Sequence, residues 1–208
     1  MTEVKRRAGR PTLSETAELT ERILNAAEAS FVARGFQQTT IQQLAEDCGV
    51  TRRSIVARFS SKDELLIAVC LRDMDTYGPQ LEAVEIRDDH PWEDLEQLIR
   101  KLWERGSDMK QAALLRAYLG ESARLPQIPH HIFSFYQQLT NTLEGKITAL
   151  QRQGLFRNYK ASTVAATAIS LVISNPRIRT MVFDPAFRDP ITVERYFTDA
   201  WLLIREMA

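Results

Sequence analysis

The amino-acid sequence predicts an all-α protein with about nine helices. Apolar residues recur three and four positions apart along most of the chain, which is the spacing of one helix face. No stretch of any length shows the alternation of apolar and polar residues that marks a half-buried strand. Prolines stand where helices are expected to start or loops to run, at positions 91, 126, 129, 185 and 190. We therefore expect a helical core in one large domain or two small ones.

The first helix is expected between about Glu15 and Arg34, with Ser14 as its N-cap. Gly35 fits the C-cap of this helix, and Phe36 is placed to pack back onto it. The preceding residues, 1–13, contain basic side chains, glycine and proline but no apolar period. We expect these residues to form a basic flexible arm.

Residues 39–66, TTIQQLAEDCGVTRRSIVARFSSKDELL, are predicted to contain two short helices joined by a tight turn. Gly49 lies where the turn needs a residue that tolerates positive φ. Thr40 and Thr51 each precede a periodic run, so each can cap a helix with its hydroxyl group. This pattern is a helix-turn-helix, and we expect the three-helix domain that contains it to span residues 14–60.

Charge is unevenly distributed along the chain. Residues 51–62 contain four cations and no carboxylate, and residues 1–13 carry a net charge of +3. Because the formal net charge of the whole chain is zero, the remaining residues sum to −7. Long cationic donors at the start of the second helix of the motif suit the reading of base edges in double-stranded DNA. The alternative is an ordinary solvated helical turn with a chance run of arginines.

The residues expected to contact DNA fall into three groups. Arg52 and Arg53 are the candidates for base readout, because arginine pairs with both O6 and N7 of guanine, and Ser54 is expected to make a smaller contact. Arg10, in the arm, is expected to reach the minor groove, unless the arm is a solubilising tail. Contacts to phosphate are expected from Thr40, Thr51, Arg58 and Lys62.

The rest of the chain is predicted to add six helices, which with the first three make about nine. One is capped by Ser60 or Ser61, and Gly78-Pro79 marks its end or a kink. The others are expected near Trp92 to Arg105, Lys110 to Ala123, His130 to Gln153, Ala161 to Val182 and Thr192 to Glu206.

Several classes of protein are not favoured. Cys48 and Cys70 are the only cysteines and lie in no metal or disulfide pattern, and His130-His131 has no third ligand at a recognisable spacing, so no metal site is expected. No run resembles a signal peptide or a membrane span, so we expect a soluble, cytoplasmic protein. No catalytic motif or glycine-rich phosphate loop is present, so neither enzyme activity nor a cofactor is expected.

The N-terminal third resembles the DNA-binding domain of the TetR family of bacterial transcriptional regulators. The resemblance lies in GRP of the arm, in FVARGFQQTTIQQLAEDCGV and in TRRSIVARFSSKDELL, and covers roughly residues 9 to 68. The recognition helix departs from the family pattern at position 56, where an aromatic residue that contacts phosphate is common and this chain has Val56. Arg58 is a plausible substitute for that contact.

The last two helices are expected to form a homodimer interface, as the corresponding pair does in the family. The helix near 161–182 contains ASTVAATAISLVIS, whose small residues allow close approach of another helix. The helix near 192–206 carries an apolar stripe made of Val193, Phe197, Ala200, Trp201 and Ile204. The alternative is that both faces belong to the core of a single chain.

The resemblance also implies a ligand-gated switch with an effector pocket among the middle helices, so residues 61–208 are expected to form an effector-binding and dimerisation domain. Large side chains with a few polar neighbours are typical of such pockets. The candidates are Trp103, Tyr118, Phe133, Tyr136 and Gln137. The alternative for each is that it packs in the core without contacting a ligand.

The sequence thus predicts a homodimeric regulator that binds operator DNA, most simply a repressor released by a small apolar or aromatic effector. The alternative is a helical effector-binding or protein-interaction module that has lost specific DNA binding. Its only support is the missing aromatic residue at position 56.

Overall fold

The computed structural model describes residues 13–208, and within that range the chain is all-α, as predicted. The helices are α1 (Leu13–Arg34), α2 (Ile41–Cys48), α3 (Arg52–Phe59), α4 (Lys62–Glu82), α5 (Pro91–Ser107), α6 (Met109–Glu121), α7 (Gln127–Arg152), α8 (Ala161–Ile169), α9 (Asn175–Met181) and α10 (Pro190–Glu206). A π-helical segment, Ser170–Ser174, joins α8 to α9 without a break, and a short 3-10 turn, Pro185–Arg188, precedes α10. Because α8 and α9 are continuous, the described residues form nine separate helices, which confirms the predicted number.

The chain divides into two compact units, Met1–Val69 and Cys70–Ala208. The division lies within α4, later than the boundary after residue 60 that the sequence suggested, because the first turns of α4 belong with α1 to α3. Leu65, Leu66 and Val69 on these turns are fully buried. No helix among residues 13–208 is both long and apolar enough to cross a membrane.

The first helix ends as predicted but does not begin as predicted. Gly35 has φ of +80°, and its N–H donates to the carbonyl oxygen of Phe31 over 3.0 Å. The ring of Phe36 packs back on that of Phe31, with centroids 5.6 Å apart. Ser14 does not cap α1, since the helix already begins at Leu13 and the hydroxyl of Ser14 donates to the carboxylate of Glu18.

The helix α4 does not end at Gly78-Pro79 but continues to Glu82. It begins at Lys62 and is capped by Ser61, whose hydroxyl accepts a hydrogen bond from the N–H of Glu64 over 3.1 Å. Ser60 instead ends α3, with φ of +59°.

In the second unit, α5 crosses the π-helical segment at very short range. A Cβ atom on Gly106 would lie 2.2 Å from the carbonyl oxygen of Val172, so only glycine fits at this crossing. In an α-helix, the carbonyl oxygen of Val172 would accept a hydrogen bond from the backbone N–H of residue 176. That residue is Pro176, which has no backbone N–H. The missing side chain of Gly106 makes room for this carbonyl group.

Candidate functional site

The helix α3 is held in place by a buried residue and a capped start. Ile55 is fully buried in the first unit. The hydroxyl of Thr51 accepts a hydrogen bond from the N–H of Ser54 over 3.1 Å, and Gly49, with φ of +63°, closes the turn from α2. The predicted caps and turn of the helix-turn-helix are therefore present, including a complete capping box between Thr40 and Gln43 at the start of α2.

The outer face of α3 is formed by four exposed residues, Arg52, Arg53, Val56 and Ala57. Neither arginine side chain makes a hydrogen bond or an ion pair with any residue that the structure describes. Both guanidinium groups are therefore available to an external partner, and their part in base readout stays a prediction.

Two members of this face, Val56 and Ala57, were not among the predicted contact residues. They follow the two arginines by four positions and so lie next to them on the helix surface. Val56 is 39 % exposed, which is a large value for a branched apolar side chain. The signal that would have found them is this spacing, since residues i and i+4 share a helix face.

The remaining predicted DNA contacts differ in how accessible their polar groups are. Thr40 and Thr51 are exposed, although both hydroxyls serve as helix caps. Ser54 is partly buried, and its hydroxyl is hydrogen-bonded to that of Thr51 over 2.9 Å. Arg58 is also partly buried, and its Nη1 atom donates weakly to the carbonyl oxygen of Ser54, at 3.4 Å. Arg10 lies outside the described residues.

Lys62 has a structural role that the sequence did not reveal. Its Nζ atom donates to the carbonyl oxygens of Phe36 over 2.8 Å and Thr39 over 2.9 Å, and lies 4.2 Å above the centroid of the Phe36 ring. The carbonyl oxygen of Gln37 is a further, more distant acceptor at 3.5 Å. An ammonium group has three hydrogens, so these carbonyls occupy its donors. Lys62 thus ties the start of α4 to the α1–α2 loop, and its contact with phosphate stays a prediction.

The second unit contains a small cavity of about 30 Å³. It lies among α4, α5, α6, α7, the π-helical segment and α9. Its lining residues are Asp73, Met74, Arg105, Gln111, Leu115, Tyr118, Ile132, Phe135, Tyr136, Leu139, Ile173 and Arg177. Tyr118 and Tyr136 line it as expected, and their part in effector binding stays a prediction.

Three of the predicted lining residues do not lie at this cavity. Phe133 is 65 % exposed and Gln137 is exposed one turn later on the same face of α7, because that helix turns Phe135 and Leu139 inwards instead. Trp103 is buried, but its ring stacks on that of Tyr196 with centroids 5.3 Å apart and an interplanar angle of 15°. It belongs to the aromatic core between α5 and α10.

The lining of the cavity is more polar than the sequence suggested. The Nη2 atom of Arg105 lies 2.7 Å from a carboxylate oxygen of Asp73, and Gln111 donates to the other carboxylate oxygen over 3.0 Å. Arg177 is 6 % exposed and donates to the carbonyl oxygen of Gly106 over 3.1 Å and to that of Arg105. Burial lowers the pKa of the Arg177 guanidinium. Sequence reasoning missed Asp73, Arg105 and Arg177, because their partners are distant along the chain.

The apolar faces expected to form a dimer interface lie largely inside the chain. On α10, Phe197, Ala200, Trp201 and Ile204 are buried in the chain's own core, and Val193 is partly buried, so the predicted stripe is intrachain packing. In the other predicted segment, the small and branched residues Val164, Ala165, Ala168, Ile169, Val172 and Ile173 are buried as well.

A different set of apolar side chains is exposed on the same helices. On α10, Leu202 is 50 % and Leu203 53 % exposed. Ile178 on α9 is 61 % exposed, and Val182 just beyond it is 68 % exposed. Exposed apolar side chains of this size are candidates for contact with a second protein surface. Among the described residues, no group of three or more His, Cys, Asp or Glu side chains is placed to hold a metal ion.

Comparison with known proteins agrees with this architecture. Residues 23–69 match the model of the bacterial regulatory proteins of the tetR family. The HTH-type transcriptional repressor BepR of Brucella suis biovar 1 is 29 % identical over 178 residues, which are 78 % of this chain and 81 % of that protein. The HTH-type transcriptional regulator TtgR of Pseudomonas putida is 36 % identical over 80 residues, or 38 % of each chain. The chain thus spans less than half the length of curated relatives such as TtgR.

The same fold occurs in solved structures. A crystal structure of a putative TetR-family transcriptional regulator from Mesorhizobium loti MAFF303099 superposes with a TM-score of 0.79 at 19 % identity, over 93 % of this chain and 97 % of that one. Similarity at this level of identity shows the shared fold of nearly the whole chain.

Proposed function

We propose that this chain, which belongs to the TetR family of bacterial transcriptional regulators, binds operator DNA as a homodimer and represses transcription until a small molecule occupies its cavity. The observation that carries the proposal is the outer face of α3, where the side chains of Arg52 and Arg53 project from a capped helix start without a partner among residues 13–208. As a regulator of chromosomal genes it would act in the cytoplasm.

Base readout is assigned to the four exposed residues of α3. Arg52 and Arg53 would each pair with O6 and N7 of a guanine in the major groove. Val56 and Ala57, one turn further on, would contact the methyl groups of thymines, which are the apolar features of that groove. An exposed valine beside two arginines suits a site in which guanines and thymines alternate along one half-site.

Contacts that hold the protein on the DNA backbone are assigned to Thr40, Thr51, Arg58 and Lys62, with Ser54 at the border between backbone and bases and Arg10 in the minor groove. Such contacts set register and affinity without reading sequence. The N-termini of α2 and α3 add backbone N–H groups that favour a phosphate. Of this set, Thr40 and Thr51 lie at those N-termini.

A dimer is proposed because one short helix-turn-helix rarely holds a specific site alone. Two recognition helices related by a twofold axis would enter successive major grooves, with half-sites roughly 34 to 36 Å apart. The contact would use the exposed apolar residues of α9 and α10, namely Ile178, Val182, Leu202 and Leu203. Self-complementary apolar patches of this kind are typical of twofold interfaces.

Release would follow from a shift between two states of the dimer. An effector that binds more tightly to a state unfit for the operator weakens DNA binding, and DNA weakens effector binding by the same factor. Coupling of this type is typically about 1 to 3 kcal/mol. The helix α4 is suited to transmit this change of state, because it contains both Lys62 at its start and Asp73, which lines the cavity.

The proposal is tested by fluorescence anisotropy with the DNA upstream of the protein's own gene. Random DNA serves as competitor, and salt concentration is varied. We expect a tight complex that resists competition and weakens steeply with salt. The double variant Arg52→Ala/Arg53→Ala should lose this preference, whereas Arg152→Ala, at an exposed arginine of α7, should keep it. Binding by the unaltered protein that is no tighter than to random DNA would contradict the proposal.

A further inference from the structure

Arg177 is a buried cation that forms no ion pair within the part of the chain that the structure describes. Its residue is 6 % exposed, and among the described residues no carboxylate lies within ion-pair distance of its guanidinium. Its contacts are the backbone carbonyl oxygens of Arg105 and Gly106, near the C-terminal end of α5. The partial negative charge of a helix C-terminus compensates part of the positive charge. The carboxylates of Asp73 and Asp108 stabilise the charge from a longer range, and the guanidinium of Arg105 opposes it. A buried guanidinium without a carboxylate at contact distance remains a site that favours an anion.

The one carboxylate at the cavity is already engaged. Asp73 pairs with Arg105 at 2.7 Å and accepts from Gln111 at 3.0 Å. The lining of the cavity thus holds two guanidinium groups and one carboxylate, so one positive charge is left over. This excess charge lies beside aromatic and aliphatic side chains, those of Tyr118, Phe135, Tyr136 and Leu139.

A surface groove next to the cavity provides room for a ligand larger than water. The groove has a volume of about 490 Å³ and shares Arg105 and Gln111 with the cavity lining. Both residues belong to the network around Asp73. Movement of that network would join the groove to the 30 Å³ cavity and bring an entering anion to Arg177.

We infer that the effector of this protein is a small aromatic or aliphatic acid, whose carboxylate pairs with Arg177 and whose apolar body lies against Tyr118, Phe135 and Leu139. This inference rests on the proposed function and refines it, since the sequence predicted only an apolar or aromatic effector. The carboxylate would supply the missing counter-charge, and the aromatic side chains would supply the contact area.

The test compares benzoate with benzamide, which has nearly the same shape and no charge, by calorimetric titration of the full-length protein. Acetate and acetamide serve as a smaller pair, and sodium chloride at equal concentration controls for ionic strength. We expect the carboxylate of each pair to bind about tenfold or more tightly than its amide, as for a hydrogen bond to a charged group. Equal binding within both pairs, or no binding of either carboxylate, overturns the inference.

Two variants locate the site. Arg177→Gln keeps an amide donor for the carbonyl groups of α5 and removes the charge, so benzoate should lose its advantage over benzamide. Leu115→Trp fills the cavity from α6 and leaves the charge of Arg177 in place, and should abolish benzoate binding in a protein with an unchanged circular dichroism spectrum. Should Arg177→Gln fail to fold, Leu115→Trp decides alone. Benzoate binding retained by folded Leu115→Trp would place the anion elsewhere and overturn the inference.

The DNA titration separates this inference from the proposed function. If the protein binds the operator specifically but does not distinguish carboxylates from amides, the inferred acid-binding site is wrong and the proposed DNA-binding function stands. Benzoate binding through Arg177 without any effect on the operator complex would support the acid site and contradict release by the cavity.

Discussion

The ammonium nitrogen of Lys62 lies 2.9 Å from the carbonyl oxygen of Thr39, the residue that precedes the N-cap of α2. The same nitrogen lies 2.8 Å from the carbonyl oxygen of Phe36. One side chain therefore ties the first turn of α4 to the loop that sets the position of the helix-turn-helix. A charged donor shared by two backbone acceptors is stronger than a neutral hydrogen bond.

Removing the ammonium group should destabilise the first unit. Lys62→Met keeps most of the aliphatic stem and deletes the donors, and we expect a loss of about 1 to 3 kcal/mol in the free energy of unfolding, measured in urea. Lys101→Met, at an exposed lysine of α5, should change it little. The operator titration then tests the predicted phosphate contact separately. If the slope of log affinity against log salt concentration falls by about one in the variant, Lys62 contacts phosphate. If the slope is unchanged, Lys62 contacts only the α1–α2 loop.

Arg52 should carry sequence preference rather than general affinity. Arg52→Ala is expected to cost about 1 to 3 kcal/mol at one base pair of the operator and to relax the preference there. The measurement is competition binding against operators that are changed one base pair at a time. Thr40→Ala should instead weaken all of these sequences alike. If Arg52→Ala lowered affinity for operator and random DNA by the same factor, its role in base readout would be wrong.

The crossing of α5 with the π-helical segment should not tolerate a side chain. In Gly106→Ala the new Cβ would meet the carbonyl oxygen of Val172 at 2.2 Å, which is backbone and cannot rotate away. We expect a loss of about 3 kcal/mol, the upper end of overpacking costs. Gly145→Ala is the matched control, since nothing lies within 4 Å of its Cβ position on α7 and it should gain about 0.5 to 1 kcal/mol. Thermal unfolding of the two variants gives the comparison, and equal melting temperatures would contradict it.

The proposed dimer should depend on exposed leucines of α10. Leu202→Glu/Leu203→Glu places charges on a surface that is half exposed in the single chain, so its folded core should be unaffected. We expect the mass measured by light scattering to fall from that of a dimer to that of a monomer, with a loss of operator affinity. Leu119→Glu, at a 45 % exposed leucine of α6, should remain dimeric. A double variant that keeps the dimer mass would move the interface elsewhere.

Acid should weaken one ion pair of the second unit at a defined pH. The side chain and backbone N–H of Arg87 donate to Asp94 and lower the pKa of its carboxyl group to about 2, from an ordinary value of 3.8. A lowered pKa stabilises the folded state above the ordinary value, and this stabilisation is lost as pH falls towards 2. The difference in unfolding free energy between the protein and Asp94→Asn should therefore be constant above about pH 4 and shrink below it.

The control for this prediction is the same comparison in an Arg87→Met background, which lacks the partner. There the difference should show much less dependence on pH. A difference that stays constant down to pH 2 in the unaltered background would mean that Arg87 does not hold the carboxylate.

Local sequence patterns were enough to predict most of the helices, the caps at Thr40 and Thr51 and the turn of the helix-turn-helix. Thr40, Thr51 and Gly49 act through hydrogen bonds and backbone angles that involve only residues a few positions away. Apolar spacing reports which residues are helical for the same local reason. Exposure of Arg53 also followed from the sequence, because a residue two positions before a buried Ile55 lies on the opposite side of the helix.

The partner of each helix face depends instead on how distant helices pack together. Periodicity identified an apolar stripe on α10 but not that Phe197 and Trp201 are buried by the chain itself. It likewise did not separate Phe133, which is exposed, from Phe135, which lines the cavity. The roles of Lys62 and Arg177 depend on carbonyl groups 23 and 71 residues away along the chain. Contacts at such separations leave no local pattern, because they form only when distant helices pack together.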